Sequence, residues 1–160
     1  MIESFKKSIV HDKHGKQYFV IASEFDSEIY KRFNIEHRGR RIGYVNYHFE
    51  SDDVLFIDDL RFEDKAMHSP WFFLDLIYWV GSFPPERWRV TNYQKRGLGT
   101  AMIEFLKGFA RSESIKRIEG HVKHHDFNEN PDLPNWYRRR GFTVITDAKS
   151  AGVAKISLTI

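Results

Sequence analysis

The stretch Gln94-Lys95-Arg96-Gly97-Leu98-Gly99-Thr100, followed directly by the run AMIEFLKGFAR, decides how the rest of the chain is interpreted. Gly97 and Gly99 allow a backbone conformation that exposes N–H groups, and a helix that begins there directs the positive end of its dipole at the same place. Apolar residues at helical spacing predict that helix: Met102, Ile103, Phe105, Leu106, Phe109 and Ala110. The stretch therefore predicts an anion-binding site at a helix N-terminus.

Two widespread phosphate-binding motifs do not fit this stretch. A Walker loop needs Gly, four residues and then Gly-Lys-Ser or Gly-Lys-Thr, and a dinucleotide fingerprint needs a small residue where Met102 stands. The pattern present is Gln-x-x-Gly-x-Gly. It resembles the loop with which the GNAT superfamily of N-acetyltransferases wraps the pyrophosphate of acetyl-CoA.

A second segment, from Asn130 to Phe142, resembles the other signature of the same family. In that signature an Asn lies seven residues before a Tyr, and the Tyr lies four residues before Gly-Phe. Asn130, Tyr137, Gly141 and Phe142 keep both spacings. The resemblance covers roughly residues 90 to 145. It implies an α/β fold with a mixed, mostly antiparallel central sheet flanked by helices, and an enzyme that moves an acetyl group from acetyl-CoA to a primary amine by direct attack.

The resemblance also assigns residues that bind acetyl-CoA as the co-substrate. The side chain of Gln94 and the loop amides would bind the pyrophosphate, aided by the charges of Lys95 and Arg96. Asn130 would contact the pantetheine arm or help to place the attacking group, and its structural alternative is a helix cap before Pro131. The full set is Gln94, Lys95, Arg96, Gly97, Leu98, Gly99, Thr100 and Asn130.

Tyr137 is assigned a catalytic role by the resemblance. Acyl transfer releases a CoA thiolate, and a phenol beside the sulfur can donate a hydrogen bond to it and hand it a proton. The structural alternative is that Trp136 and Tyr137 form an aromatic pair that packs on the core.

A base is also required, because amines titrate near pH 10 and only the neutral form attacks a thioester. Asp58 and Asp59 are the candidates by resemblance, since family members hold a carboxylate in this strand or pass the proton through water. Strand alternation places the two on opposite faces, so we expect at most one of them in the active site. Glu119 and His121 share one face of a later predicted strand and are the alternatives.

Two further clusters are weaker indicators. His121, His124, His125 and Asp126 contain metal-ligand atoms, but strand alternation separates His124 from the other two histidines and the spacing is not that of a zinc site. We expect no metal. The run Arg138-Arg139-Arg140 would meet the 3′-phosphate of CoA or a nucleic-acid backbone, and without a stacking-aromatic motif nucleic acid is not expected.

Length and composition narrow the class of protein. The 160 residues predict one domain, 1–160. The absence of cysteine excludes disulfides and a cysteinyl acyl-enzyme, and it is compatible with a reducing cytoplasm. The most apolar run, 71–80, is too short to cross a bilayer and carries Asp75, and no signal peptide is expected at the N-terminus. A net charge of +3 suits a polyanionic ligand.

The pattern of β-branched and aromatic residues predicts most of the strands. Four of them, separated by short turns, make an antiparallel meander, and three more follow the glycine loop. They are QYFVIASEF, EIYKRFNIE, RIGYVNYHFE and VLFIDDLRF, then IKRIEGHV, FTVIT and VAKISLTI. A short helix is predicted over Asn130–Arg140.

The chain departs from the family pattern in two places. The family has two helices between its first two strands, whereas only Asp26 to Glu28 separate the predicted elements here. About thirty residues, 63–92, are inserted before the pyrophosphate loop, with a predicted helix in SPWFFLDLIYWV and a turn at Pro84-Pro85. The alternative, that Arg87–Thr91 is the strand leading into the loop, stays open.

The departures leave a second function open, a catalytically inactive module with the same fold that binds CoA or a partner protein. The aromatic residues of the insertion favour a core or a homodimer contact, or else the wall of an acceptor pocket. The acceptor itself, a small-molecule or peptide amine, is not specified by these residues.

Overall fold

A computed structural model describes residues 7–23, 29–63, 65–68, 89–93, 95–146 and 154–160. The strands in these ranges are β1 (Lys7–His11), β2 (Gln17–Ser23), β3 (Lys31–His37), β4 (Arg40–Ser51), β5 (Val54–Phe62), β6 (Lys65–His68), β7 (Arg89–Asn92), β8 (Arg117–Val122), β9 (Thr143–Thr146) and β10 (Ala154–Thr159). The helices are α1 (Leu98–Ser112), α2 (His124–Glu129) and α3 (Leu133–Arg138).

The central sheet contains eight strands in the order β1-β2-β3-β4-β5-β8-β10-β9. All of its neighbouring pairs are antiparallel except β5 and β8, which are parallel. A parallel pair requires a crossover connection, and α1 lies within that connection. The prediction of a mixed, mostly antiparallel sheet flanked by helices is confirmed.

Helix α1 packs its apolar stripe against one face of the sheet, as its periodicity predicts. Phe105 and Phe109 meet the ring of Phe33 edge-on at centroid distances of 5.0 and 5.1 Å. Phe33 in turn stacks on Tyr47 at 5.0 Å. Burying such a side chain contributes about 1.5–3 kcal/mol. This contact fixes α1, and with it the glycine loop at its N-terminus, relative to the sheet.

Strand β1 was not predicted from the sequence. Its residues alternate between exposed and partly buried, and Ile9 is 53% exposed. Because β1 forms the outer edge of the sheet, half-buried and next to a single strand, its hydrophobic pattern is weak. The strand matters because its turn into β2 reaches the glycine loop.

The short helix predicted over Asn130–Arg140 is present but shorter, and a separate helix precedes it. Helix α2 ends at Glu129, Asn130 follows it as the C-cap, and α3 begins only at Leu133. Pro131 has no N–H to continue a helical ladder, so it favours a turn between two short helices. His124 and His125 belong to α2 rather than to a strand, so the predicted alternation of these histidines is wrong.

The connection before the glycine loop is only partly described. Strand β7 ends at Asn92, immediately before the loop, and pairs with β6 in a separate two-stranded sheet. This supports the alternative in which a strand near 87–91 leads into the loop. The aromatic residues of the inserted segment, the helix predicted in SPWFFLDLIYWV and the Pro84-Pro85 turn lie outside the described residues. In the part of the chain that is described, no helix combines the length and apolarity that crossing a bilayer requires.

Candidate functional site

The parallel pairing of β5 and β8 stops halfway along β5. The ladder runs from Val54 opposite Arg117 to Ile57 opposite Gly120 and no further. Beyond it lies a cavity of about 310 Å³, the strand cleft, lined by residues of both strands and of α3. Within the cleft, the backbone of β5 after Ile57 has no ladder partner on the β8 side, so its polar groups are available to a ligand.

The glycine loop opens α1 with exposed backbone donors. Gly97 is the N-cap and has a φ of 82°, a left-handed conformation that glycine adopts without strain. No side chain caps this helix end in the described structure. The first amide with an intrahelical acceptor is that of Ala101, which donates to the carbonyl of Gly97. The amides of residues 98–100 are therefore donors at the positive end of the helix dipole.

The turn between β1 and β2 supports this loop from the other side. The amide of Lys13 donates to the carbonyl of Arg96 at 3.0 Å, and the Arg96 guanidinium lies 3.3 Å from the Asp12 carboxylate. Asp12 is buried and also accepts hydrogen bonds from the amides of His14 and Lys16 and from the Tyr18 hydroxyl. Residues of the sheet edge therefore hold the backbone of the loop in place.

Hydrogen bonding outweighs burial at Asp12. Burial alone would raise the pKa of this carboxyl, but the amides of Lys16 and His14, the Tyr18 hydroxyl and Arg96 together hold it below its ordinary value. Burial and the hydrogen bond with Asp12 raise the pKa of Tyr18 to about 12. Asp12 is thus an anion at neutral pH, paired with the cation of the loop.

A second cavity, of about 530 Å³, lies between that turn and the start of α1; it is the loop cavity. Lys13, Lys95 and Arg140 contribute to its lining. Lys13 and Lys95 are exposed, and neither pairs with a carboxylate of the described residues. The cavity therefore offers unpaired cations next to free amides, a combination that suits a phosphate group.

The two motifs recognised in the sequence lie in contact. A Cβ atom on Gly99 would lie 3.1 Å from the ring of Trp136, so the absence of a side chain there permits the close approach. Arg140 stacks on Trp136 at 3.8 Å and donates from Nε to the Thr100 hydroxyl at 3.1 Å. The helix that carries Tyr137 is thereby packed against the glycine loop.

Tyr137 lies in the strand cleft, between the rings of Trp136 and Phe142. Burial raises the pKa of Tyr137 to about 12, with smaller contributions from the carboxylates of Asp126 and Asp59 and an opposing one from Arg140. The phenol is therefore neutral at physiological pH and can act as a hydrogen-bond donor. Because a thiol titrates near 8.5, the Tyr137 phenol is better suited to donating a hydrogen bond to a thiolate than to transferring its proton completely.

Asp58 and Asp59 both line the strand cleft. The ladder between β4 and β5 shifts register, with Asn46 opposite Asp59 and Tyr47 opposite Ile57, so Asp58 is the extra residue of a β-bulge. Asp58 contacts His48 at 2.8 Å, and Asp59 accepts from the Tyr44 hydroxyl at 2.9 Å. Tyr44 and His48 share one face of β4, so the expectation that the two carboxylates lie on opposite faces is wrong.

No protein-family model and no curated protein sequence matches the chain. Solved structures do match. The GNAT domain of S. lividans PAT is 13% identical with a TM-score of 0.63, over 96% of this chain and 97% of that one. A GNAT family acetyltransferase from Elizabethkingia anophelis with acetyl-CoA bound is 11% identical with a TM-score of 0.53, over 82% and 76%. The PaiA N-acetyltransferase from Thermoplasma acidophilum in complex with coenzyme A is also 11% identical, with a TM-score of 0.53, over 82% of this chain and 62% of that one.

The chain has the GNAT fold. The predicted absence of two helices after the first family strand is compatible with this structure, because only seven residues separate Ser23 from Lys31. Such a short connection cannot contain two helices. The GNAT sheet of this chain begins one strand earlier than predicted, with β1.

The other sequence-derived residues take different positions around the GNAT site. Asn130 is exposed and lines a further cavity of about 380 Å³, together with Asp59 and Asp126. Gln94 lies outside the described residues. His121 lines the strand cleft. Glu119 is buried in ion pairs with Lys155 at 2.7 Å and Arg117 at 3.6 Å, and the Lys155 contact lowers its pKa, so it is a structural anion.

Sequence reasoning missed two parts of the site. Asp12 was not singled out, and its partner Arg96 is 84 residues away in the chain. His48 was not singled out at all. It belongs to a strand whose alternation places it on a polar face, and nothing local signals its carboxylate partner.

Proposed function

We propose that this protein is an acetyl-CoA-dependent N-acetyltransferase whose acceptor is a primary amine on a small molecule or peptide. The observation that carries the proposal is the juxtaposition of an uncapped helix N-terminus, with two unpaired lysines beside it, and a cleft that opens between parallel strands. Solved proteins of the same fold hold acetyl-CoA or coenzyme A. The proposal extends to Tyr137, Asp58 and Asp59 as candidate catalytic residues.

The residues present fit the two ends of acetyl-CoA. The pyrophosphate would bind the amides at the start of α1, with Lys13 and Lys95 supplying charge. Gln94 and Arg96 remain part of the proposed phosphate site. The pantetheine arm would lie in the strand cleft, where the backbone of β5 beyond Ile57 offers unpaired polar groups. Asn130, which lies between α2 and α3, would contact this arm or help to place the attacking group.

Direct attack of the amine on the thioester needs no acyl-enzyme. A new N–C bond forms, the C–S bond breaks, and the negative charge passes from the carbonyl oxygen to the sulfur. Amides of β5 next to the bulge at Asp58 would donate to the carbonyl oxygen. Tyr137 would donate a hydrogen bond to the departing thiolate.

Titration calorimetry with acetyl-CoA tests binding, and thiol release with a panel of primary amines tests turnover. A ligand at 100 times its Kd stabilises the native state by about 2.7 kcal/mol, which thermal unfolding detects. Binding with turnover supports the enzyme. Binding without turnover of any amine supports an inactive CoA-binding module, and folded protein without affinity for acetyl-CoA contradicts both. A homodimer and a cytoplasmic location belong to the proposal only as expectations from composition.

A further inference from the structure

The carboxylates at the strand cleft have different partners. Asp59 accepts from Tyr44 and lies 3.5 Å from the Nε of Arg61. Glu119 is held between Lys155 and Arg117. Asp58 instead contacts Nδ1 of His48 at 2.8 Å, and the two side chains are 27% and 22% exposed. Glu119 does not line the cleft, whereas Asp126 does and contacts Nδ1 of His125 at 2.9 Å. Asp58 and Asp126 are therefore the lining carboxylates of this set that are paired with a histidine.

The bulge creates this pair. In a regular ladder Asp58 would point away from the face of β4 on which His48 lies. The register shift turns it toward that face, while Asp58 still lines the cleft. His48 also contacts the ring of Phe56 at 5.1 Å, and Phe56 contacts His121, another lining residue, at 5.2 Å. His48 is not among the lining residues of the cleft, but it contacts Asp58, which is, and its side chain is 22% exposed.

The contact with Asp58 defines which nitrogen of His48 is free to react. When Nδ1 carries the hydrogen and donates it to the carboxylate, Nε2 carries the lone pair. The carboxylate also stabilises the imidazolium that forms when Nε2 takes up a proton. The same division of roles, a base and a carboxylate that orients it, activates attacking groups in other enzymes.

We propose that His48 is the base that receives the proton of the acceptor amine through Nε2, and that Asp58 is the positioning residue that holds its ring. This inference rests on the proposed acetyltransferase function. One proton passes from the alkylammonium to Nε2 and then to water, and the neutral amine forms the N–C bond. The second N–H proton is lost as the C–S bond breaks and the thiolate is protonated, so the step balances without a further reactant.

The groups that face His48 all belong to the sheet or to the residues leading into it. None of them supplies a second basic nitrogen at the position of Nε2. They are Tyr30 before β3 at 5.6 Å, Asp58 on β5, His121 on β8 beyond Phe56, Glu50 two residues along β4, and Arg32 on β3, which bonds Asn46. His121 and His125 both line the cleft and could replace it, so His121→Gln and His125→Gln belong in the test.

The test is the pH profile of kcat/KM for wild type, His48→Gln, His121→Gln, His125→Gln, Asp58→Asn and Asp59→Asn. In wild type we expect a limb that falls on the acid side, because a protonated imidazole cannot accept the proton of the amine. His48→Gln should lower kcat/KM about 100-fold and remove this limb, with the Kd for acetyl-CoA unchanged. Asp58→Asn should have a smaller effect and shift the limb to lower pH, because the imidazolium loses its anion.

Two controls separate chemistry from packing. Asp53→Asn makes the same substitution immediately before β5, where the Asp53 side chain contacts Lys116 and Ser51, and should change nothing. His48→Ala with added imidazole should regain activity if the ring acts as a base. The shift in Asp58→Asn tests the proposal even if His48→Gln does not fold.

The outcomes are distinguishable. Loss of the acid limb in His48→Gln, with acetyl-CoA affinity retained, supports the proposal. A limb that survives in His48→Gln but disappears in Asp59→Asn, His121→Gln or His125→Gln overturns it and leaves the acetyltransferase function standing. Wild-type protein that binds no acetyl-CoA overturns the proposed function, and this assignment with it.

Discussion

The loop cavity and the strand cleft meet at Trp136, which lines both, and they contain different kinds of chemical groups. The loop cavity combines backbone amides with lysine and arginine side chains, which bind anions but exchange no protons at neutral pH. The strand cleft contains Tyr137, two strand carboxylates and histidine, which can donate a hydrogen bond to a reacting group or accept a proton from it. This difference teaches that affinity and chemistry are carried by separate residues. Substitutions in one region should change Kd, and those in the other kcat.

Tyr137→Phe should give the largest effect and tests this separation directly. We expect kcat to fall about 100-fold, because the departing thiolate loses its hydrogen-bond donor, while the Kd for acetyl-CoA changes less than about twofold. Steady-state kinetics and calorimetry measure both quantities. Tyr47→Phe is the matched control, since Tyr47 is a buried tyrosine that packs under α1. An unchanged kcat in Tyr137→Phe would remove the assigned role.

Asp12→Asn should show how strongly the loop depends on its support. Replacing the anion weakens a charge-assisted contact with Arg96, and we expect a loss of about 2 kcal/mol in the free energy of unfolding. For a chain of this length that corresponds to about 4–8 °C in Tm. Asp132→Asn is the control, because its pairing with Arg139 is exposed and contributes little. Equal Tm values for the two variants would contradict the inference.

The stabilisation by Asp12 should also depend on pH. Its pKa is lower in the folded protein than in the unfolded chain, so its contribution is complete above about pH 4 and is lost as the pH falls through the lower folded pKa. The difference in unfolding free energy between wild type and Asp12→Asn should therefore shrink below about pH 4. Urea unfolding at several pH values measures it, and a difference that widens in acid would refute this account.

Gly97→Ala and Gly108→Ala form a matched pair within the same segment. Alanine at Gly97 must adopt a φ near 82°, which costs about 1–2 kcal/mol. Alanine at Gly108 meets nothing within 4 Å and should stabilise α1 by about 0.5–1 kcal/mol. Thermal unfolding should shift in opposite directions, and only Gly97→Ala should weaken acetyl-CoA binding. A parallel shift in both variants would argue against a strained loop.

Lys13→Ala should give the smallest effect, and it tests whether this residue of the loop cavity contributes to phosphate binding. Removing one exposed cation beside a phosphate should weaken acetyl-CoA binding about threefold to fivefold, less at high salt because exposed charges are screened. Lys116→Ala, at the opposite end of α1, is the control. A change in kcat with an unchanged Kd would break the division between the two cavities.

Much of the fold could be predicted because the local spacing of apolar residues differs between strands and helices. Strand β5 was predicted with its exact bounds, and the stripe from Met102 to Ala110 was confirmed as the buried face of α1. The edge strand β1 and the helix α2 before Asn130 were missed. In both places the local pattern is weak, and pairing partners or prolines decide the outcome.

The sequence by itself determined the type of each site, a glycine loop for an anion and a tyrosine segment near it. Only the tertiary structure decided which side chains meet. The bulge that joins Asp58 to His48 depends on how two strands register, and the contact between Asp12 and Arg96 joins residues 84 positions apart. Periodicity reports the face on which a residue lies. Which partner it finds there depends on chain segments that come together only when the sheet is assembled.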